Sequence, residues 1–291
     1  MSMAEWACGV SASRYQNKTQ SHPASPSVTF PASIFPTHAA SFSPMNTPAS
    51  TLTPLDGVLL VDKPLEHTSH DVVARIRKRF RIAKVGHGGT LDPSATGLLV
   101  ILLGKATKIS DRVMGHDKTY EGTLRLGIET DTQDADGRIV AEAPPEAVAA
   151  VTADALRAQM EARLGDQMQT PPMVSAIKID GVPLYKLHHQ GETVERKPRF
   201  IHVYRFDLLD YAPPTARFRV ECTKGTYIRT LVHDIGQSLG CGAHLTSLRR
   251  LQSGPFSLDA ATPLEDLLAL PDASALASRV IPLPAALAML P

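Results

Sequence analysis

Hydrophobic and polar positions repeat with both strand-like and helix-like periods from Leu55 onward, so this region is predicted to be a mixed fold. The apolar run at residues 57–61 ends at Lys63-Pro64 and predicts a buried strand. Thr68 and Asp71 have the spacing of a capping box, which predicts the start of a helix. Apolar residues then recur at helical spacing: Val72, Val73, Ile76 and Phe80.

The remaining patterns extend this mixture. Strands are predicted at residues 98–103, 119–126, 200–209 and 217–223, and helices from Lys105, at 152–164 and at about 227–239. Leu156, Met160 and Leu164 share one apolar stripe of the second of these helices, and Gly165 is expected to end it. Because the strands cluster instead of alternating strictly with helices, we expect an α+β fold.

The first 54 residues differ in kind from the rest, because 23 of them are Ser, Thr or Pro and they show no sustained periodicity. This composition is typical of a disordered leader, so we assign residues 1–54 to a leader and residues 55–291 to one folded domain. Three explanations of the leader stay open. It is an appendage, it results from a start codon placed too early, with Met45 as a candidate for the true start, or it is a targeting segment.

The overall composition excludes several classes of protein. Of the 291 residues, 43% are hydrophobic, and no apolar run approaches the roughly 20 residues that a bilayer span needs. The cysteines Cys8, Cys222 and Cys241 are odd in number and lack metal-ligand spacing, so we expect neither a disulfide framework nor a zinc site but a reducing, cytoplasmic location. The net charge of +1 does not by itself indicate a polyanionic partner.

The densest cluster of unusual residues is the segment 86–97, which contains four glycines, His87, Asp92 and Pro93. Such a composition specifies an irregular backbone path between ordered elements. Asp92-Pro93 alone is consistent with a turn in which the carboxylate accepts hydrogen bonds from nearby backbone N–H groups. The alternative is that the glycines let a ligand approach while Asp92 acts as nucleophile or base and His87 contacts the same ligand.

Familiar binding motifs are incomplete in this sequence. Gly104-Lys105 lacks both the leading glycine and the following Ser or Thr of a phosphate-binding loop. Residues 134–137 resemble the middle of a calcium loop, but Thr132 and Ala143 occupy its two end positions. We therefore predict no metal and no cofactor site from these segments.

Basic residues are segregated along the chain in spite of the balanced total. One set lies within residues 75–84, and no acidic residue interrupts it: Arg75, Arg77, Lys78, Arg79, Arg81 and Lys84. A second set lies nearer the carboxyl end: Arg217, Arg219, Lys224, Arg229, Arg249 and Arg250. Either set alone fits a solvated surface, but two sets flanking the segment 86–97 are typical of a protein that follows a phosphate backbone.

Taken in order, the motifs resemble those of the TruB-type tRNA pseudouridine synthases over about residues 55–258. The matching blocks are GVLLVDKP from Gly57, GH at Gly86, LDPxATG from Leu91, KTY from Lys118, TDT from Thr130, DADG from Asp134, PP at Pro171 with SAxK from Ser175, KGTYIR from Lys224, GCGAH from Gly240 and LRR from Leu248.

The resemblance implies the pseudouridine synthase catalytic fold, which is a mixed, largely antiparallel sheet with flanking helices. It also implies an isomerase that converts the uridine at position 55, in the T-loop of tRNA, to pseudouridine without a cofactor or metal. We expect a cytoplasmic monomer that binds the T-arm of tRNA, has no obligate protein partner and does not bind membranes. Many bacterial relatives carry a small β-rich carboxyl-terminal RNA-binding domain, and we expect this chain to lack it.

Residue by residue, the resemblance makes Asp92 the nucleophile and Arg229 the cation that pairs with it. Tyr120 matches the tyrosine that stacks on the target base and assists loss of its C5 proton. Further positions match substrate-contacting residues of the family: His87, Tyr227 and Leu248. A base inside a folded loop cannot reach such a carboxylate, so the target nucleotide must be flipped out.

Two other functions remain open at this point. One is an RNA-binding or RNA-folding module that uses the same surface without catalysis. The other is a small-molecule hydrolase that uses Asp92 and His87, although it would lack a partner acid and would leave the two basic sets unexplained.

Overall fold

The apolar run around residues 98–103 forms the buried centre of the molecule. The computed structural model describes residues 55–175, 177–179, 181–184, 190 and 194–290, and the predicted leader therefore lies outside the described residues. The strands are β1 (Gly57–Lys63), β2 (Val85–His87), β3 (Ala95–Leu103), β4 (Lys118–Leu126), β5 (Ile128–Thr130), β6 (Ile139–Glu142), β7 (Gly165–Gln169), β8 (Lys178–Ile179), β9 (Val182–Pro183), β10 (Arg199–Ala212), β11 (Thr215–Cys222), β12 (Ala243–Ser253), β13 (Phe256–Ser257), β14 (Thr262–Pro263) and β15 (Val280–Pro282). The α-helices are α1 (Ser69–Phe80), α2 (Ser110–Met114), α3 (Pro145–Ala149), α4 (Ala153–Glu161), α5 (Ile228–Leu239), α6 (Leu264–Ala269), α7 (Ala273–Ala277) and α8 (Leu283–Met289), and 3₁₀ turns lie at Gly104–Ile109 and Leu258–Ala260.

Among the described residues, eleven strands form one mixed sheet, whose main path runs β14-β1-β3-β12-β4-β11-β10-β7. The pairs β1–β14 and β3–β12 are parallel, and the other pairs of this sheet are antiparallel. The expected α+β architecture with a mixed, largely antiparallel sheet is therefore confirmed. Within the described residues, no helix is long and apolar enough to cross a membrane.

Helices cover the sheet because side chains alternate between its two faces. Leu156 of α4 and Leu231 of α5 pack against the β4–β11–β10 half of the sheet. Ile76 of α1 packs against β1 and β3 on the other half. The opposite face of β1 and β3 forms a separate core that includes Ala286 of α8. β3 is thus buried on both faces, which is why its sequence is continuously apolar.

The predicted capping box at the start of α1 is present. The backbone N–H of Asp71 donates to Thr68 Oγ1 at 3.0 Å, and the N–H of Thr68 donates to Asp71 Oδ2 at 2.9 Å. Both Thr68 donors, the hydroxyl and the backbone N–H, lower the pKa of the Asp71 carboxyl because they stabilise its charged form. The first helix therefore begins at the residue that the sequence predicts.

Several predicted boundaries are wrong. α4 ends at Glu161, and Leu164 is 43% exposed instead of continuing the apolar stripe. Gly165, with φ of 81°, begins β7 rather than only ending a helix. The helix predicted from Lys105 begins as a 3₁₀ turn at Gly104–Ile109. The segment 86–97 is partly strand, because β2 and β3 extend into it and leave residues 88–94 as the connection.

Candidate active site

Asp92 lies in the connection between β2 and β3, and contacts on both sides of it fix the backbone of this connection. Ser69 Oγ accepts from the N–H of Leu91 at 2.9 Å and donates to the Leu91 carbonyl at 3.2 Å. Lys63 Nζ donates to the carbonyl of Pro93 at 3.3 Å. Asp92 itself remains 44% exposed, so a rigid backbone presents an accessible carboxylate.

Arg229 stands in the first turn of α5, and its guanidinium joins two carboxylates. Its Nη2 lies 3.0 Å from Asp92 Oδ2, and its Nη1 lies 3.1 Å from Asp134 Oδ2. The same group donates to the carbonyl oxygens of Thr132 and Val174, each at 3.0 Å. Because its side chain is only 5% exposed, Arg229 is held in one orientation and fixes the Asp92 carboxylate from one side.

Asp134 is the second carboxylate of this network. It is buried, and burial raises the pKa of its carboxyl although Arg229 and the hydroxyl of Thr132 act in the opposite direction. It also accepts hydrogen bonds from Thr132 Oγ1 at 2.5 Å and from the N–H of Asp136 at 3.1 Å. In the sequence this segment is recognisable as a motif, but Asp134 has no assigned role there, because only the fold brings it to Arg229.

A cavity of about 310 Å³ opens beside Asp92 and Arg229. Its lining includes three more of the sequence-predicted site residues: Tyr120, Tyr227 and Leu248. Tyr120 comes from β4, and Leu248 comes from the adjoining strand β12. The cavity is therefore formed where the centre of the sheet meets the Asp92 connection and the start of α5.

Two tyrosines in this cavity are neutral phenols at ordinary pH. Burial raises the pKa of Tyr120 and also that of Tyr227. The backbone of Tyr227 is fixed by Gln169, whose Oε1 accepts from its N–H at 2.8 Å and whose Nε2 donates to its carbonyl at 3.0 Å. The backbone that carries the Tyr227 side chain is thus fixed at the cavity.

His87 is the predicted site residue that the structure does not place in the lining of this cavity. It lies at the end of β2, opposite Ile101 of β3, and its ring makes an edge contact with His70 at 5.5 Å between centroids. Burial lowers the pKa of His87, which favours the neutral imidazole. The hydrolase hypothesis, in which His87 and Asp92 act on one small ligand, loses its geometric basis. A contact between His87 and a larger substrate stays a prediction.

The structure places the members of the two basic sets in different surroundings. In the first, Arg77 and Lys78 are exposed on α1, whereas Arg79 donates to carbonyl oxygens of the segment that follows α6. In the second, Arg249 pairs with Asp62 at 2.6 Å, and Arg250 is fully buried. Arg229 is buried in the candidate active site, whereas Arg217, Arg219 and Lys224 are exposed. The prediction of a phosphate-tracking surface is therefore wrong for the buried Arg229 and Arg250, and it stays a prediction for the exposed members.

Comparisons with known proteins agree with this fold. The family model described as "TruB family pseudouridylate synthase (N terminal domain)" matches residues 77–228, and the one described as "tRNA pseudouridylate synthase B C-terminal domain" matches residues 229–288. A "tRNA pseudouridine synthase B" from Opitutus terrae is 56% identical over 217 residues, which cover 75% of this chain and 89% of that protein. One from Bordetella pertussis is 49% identical over 233 residues, which cover 80% of this chain and 95% of that protein.

A solved structure described as "Crystal Structure of a Cbf5-Nop10-Gar1 Complex" has the same fold, with a TM-score of 0.62 and 31% sequence identity. The match covers 81% of this chain but only 62% of that one, so the chain spans less than two thirds of its length. The fold and these relatives together define a pseudouridine synthase, which is an isomerase. Within that class, the chain belongs to the TruB family of pseudouridylate synthases.

Proposed function

We propose that this protein isomerises the uridine at position 55, in the T-loop of tRNA, to pseudouridine, with Asp92 as the nucleophile. The observation that carries the proposal is the ion pair of Asp92 and Arg229 in a cavity that Tyr120, Tyr227 and Leu248 also line. The names of the relatives support tRNA as the substrate. Since the cavity holds about 310 Å³, it suits a single nucleoside rather than a folded loop, so the target nucleotide enters flipped out.

The reaction needs no group from outside the chain. The Asp92 carboxylate attacks C1′ of the ribose while the C1′–N1 bond breaks and its electron pair leaves with the base. The uracil turns, C5 attacks C1′ and displaces the carboxylate, the C5 proton leaves, and N1 gains a proton. The sum is a transfer of C1′ from N1 to C5 without a cofactor or metal.

Four residues of the cavity have proposed roles in this reaction. Arg229 orients the carboxylate for attack, and Leu248 and Tyr227 exclude water from the reacting atoms. Tyr120 stacks on the base. Because its raised pKa keeps the phenol protonated, Tyr120 accepts the C5 proton only if its own proton leaves in the same step.

We further propose that the enzyme acts on the T-arm as a monomer, in the cytoplasm, without an obligate protein partner. The exposed cations of α1, Arg77 and Lys78, give it a surface for the phosphates of the RNA.

The test is to incubate the full-length protein with an unmodified tRNA transcript and to map pseudouridine along the product. Conversion at position 55 in the wild-type transcript, and none in a transcript with cytidine at that position, is the expected result. Tight binding without any pseudouridine would favour the RNA-binding module. Conversion confined to another position would contradict the T-loop assignment.

A further inference from the structure

Besides Arg229, three cations of the described residues are buried near the cavity and are held by backbone carbonyl oxygens. Lys63 Nζ donates to the carbonyls of Pro64, His67 and Pro93, at 3.0, 2.7 and 3.3 Å. The Arg250 guanidinium donates to the carbonyls of Gly89, Thr90 and Leu98. Lys118 Nζ donates to the carbonyls of Met114, at 2.8 Å, and His116. In the part of the chain that the structure describes, none of the three forms an ion pair with a carboxylate.

Lys118 differs from Lys63 because it lines the cavity. It is 6% exposed and lies two residues from Tyr120 on β4, so both side chains belong to the same face of the sheet. An ammonium group has three N–H donors, and carbonyl oxygens occupy two of those of Lys118. No hydrogen bond among the described residues uses the third donor, so it is available to a group bound in the cavity that Lys118 lines.

We propose that Lys118 stabilises the negative charge that develops on the uracil ring when its bond to C1′ breaks. This inference rests on the proposed function. The electron pair of the C1′–N1 bond stays with the departing base, so the ring is an anion, with its charge spread over N1 and the two carbonyl oxygens, until C5 bonds to C1′. A cation already fixed by two carbonyl groups needs no reorganisation when this charge appears, and such preorganised groups act most strongly on the charge that develops in the transition state.

The surroundings of Lys118 make its positive charge depend on pH within a range in which the enzyme can be assayed. Burial and the nearby Arg250 lower the pKa of Lys118 to about 8, while Asp117 raises it. Two further groups face Lys118. Cys222 of β11 raises the pKa of Lys118, and Lys224, which follows β11, lowers it. Lys118 is therefore a cation at neutral pH and loses its charge as the pH rises through about 8.

A different role for Lys118 would be to bind a phosphate of the RNA. That role contributes equally to substrate and transition state, so its loss would weaken tRNA binding and leave the rate at saturation unchanged. Stabilisation of a uracil anion is absent from the bound ground state, so its loss would lower the single-turnover rate and leave binding unchanged. The two roles therefore separate in one pair of measurements.

The first test compares Lys118→Met, which removes the charge at similar volume, with the wild type. We expect the single-turnover rate of pseudouridine formation at saturating enzyme to fall about 100-fold, with the Kd for tRNA within about threefold. Lys108→Met is the control for loss of a lysine charge, because Lys108 is exposed on the 3₁₀ turn Gly104–Ile109 and lies outside the lining of the cavity, and both its rate and its Kd should stay near the wild-type values. A Lys118→Met rate close to that of the wild type, or a loss confined to Kd, would overturn the proposal.

The second test uses charge-retaining variants and serves even if Lys118→Met fails to fold. The wild-type single-turnover rate should fall as the pH rises through about 8, and Lys118→Arg should move this decrease to above about pH 9, since arginine stays charged. Lys63→Arg is the control, because burial also lowers the pKa of Lys63 to about 8, and it should keep the decrease where the wild type has it. An unmoved decrease in Lys118→Arg would contradict the proposal, whereas a wild type that forms no pseudouridine would instead refute the proposed function.

Discussion

Asp92 and Asp134 share a single guanidinium, with Arg229 Nη2 3.0 Å from one carboxylate and Nη1 3.1 Å from the other. The two carboxylates have different surroundings, because the Asp92 side chain is 44% exposed and the Asp134 side chain is 10% exposed. Asp134 is thus suited to fixing Arg229 from the interior, while Asp92 faces the cavity. The geometry therefore distinguishes the proposed nucleophile, Asp92, from the carboxylate that holds Arg229 in place.

Arg229→Lys should lose most of the activity. The planar guanidinium of Arg229 contacts two carboxylates and two carbonyl oxygens at once, and an ammonium group cannot reproduce that arrangement. We therefore expect the single-turnover rate to fall at least about 100-fold. The measurement is pseudouridine formation on a tRNA transcript, with thermal unfolding as the control for folding. Near-normal turnover would show that the ion pair does not position Asp92.

Asp134→Asn should lower the rate while Asp92 is intact. The amide has the shape of the carboxylate but not its charge, so Arg229 is held less firmly and we expect a loss of about tenfold in rate. Asp136→Asn is the matched control, because the Asp136 side chain is exposed and only its backbone N–H contacts Asp134. Equal rates for the two variants would exclude a positioning role for Asp134.

Lys63→Met should change how stability depends on pH. Burial lowers the folded-state pKa of Lys63 to about 8, whereas the unfolded chain has an ordinary lysine pKa of about 10.4. Between these values the unfolded state binds more protons, so Lys63 makes the free energy of unfolding increase with pH.

Urea unfolding of the wild type and Lys63→Met at several pH values isolates this effect. The wild type should gain stability relative to the variant by up to about 1 kcal/mol per pH unit between about pH 8 and pH 10. A difference that stays constant with pH would show that Lys63 titrates normally.

The double variant Arg77→Glu/Lys78→Glu should weaken tRNA binding. Both side chains are exposed on α1, and the slope of log K against log salt should decrease by about 0.9 for each phosphate that the variant no longer neutralises. Arg157→Glu, on α4 and outside the basic set, is the control for charge reversal at the surface. Binding and salt dependence equal to the control would make α1 an ordinary solvated helix face.

The strands and helices that the sequence predicts best are those whose stability is local or whose burial is complete. The capping box of α1 and the apolar run of β3 can be recognised from neighbouring residues alone. The sequence does not predict β12 as a strand, because its Arg249 and Arg250 resemble a surface set. In the fold, Arg249 pairs with Asp62 and Arg250 is buried among carbonyl oxygens.

The same distinction applies to the site. Asp92 stands out because glycines, His87 and Pro93 surround it within one segment, and the family resemblance names its partner Arg229. Asp134 and Lys118 come from other segments, and only the pairing of strands brings them to the cavity network. His87 shows the reverse case, since it is close to Asp92 in sequence while the register of β2 with β3 carries it toward His70.

Every role proposed for this site depends on Asp92 being the nucleophile of a pseudouridine synthase that acts on tRNA. The decisive experiment is quantitative mapping of pseudouridine at position 55 after incubation of tRNA with Asp92→Asn, alongside the Kd of the same variant. We predict no detectable pseudouridine, with a Kd within about threefold of the wild type, because the amide keeps the shape of the cavity but cannot attack C1′. Pseudouridine formed by Asp92→Asn at a rate near that of the wild type would show that Asp92 is not the nucleophile.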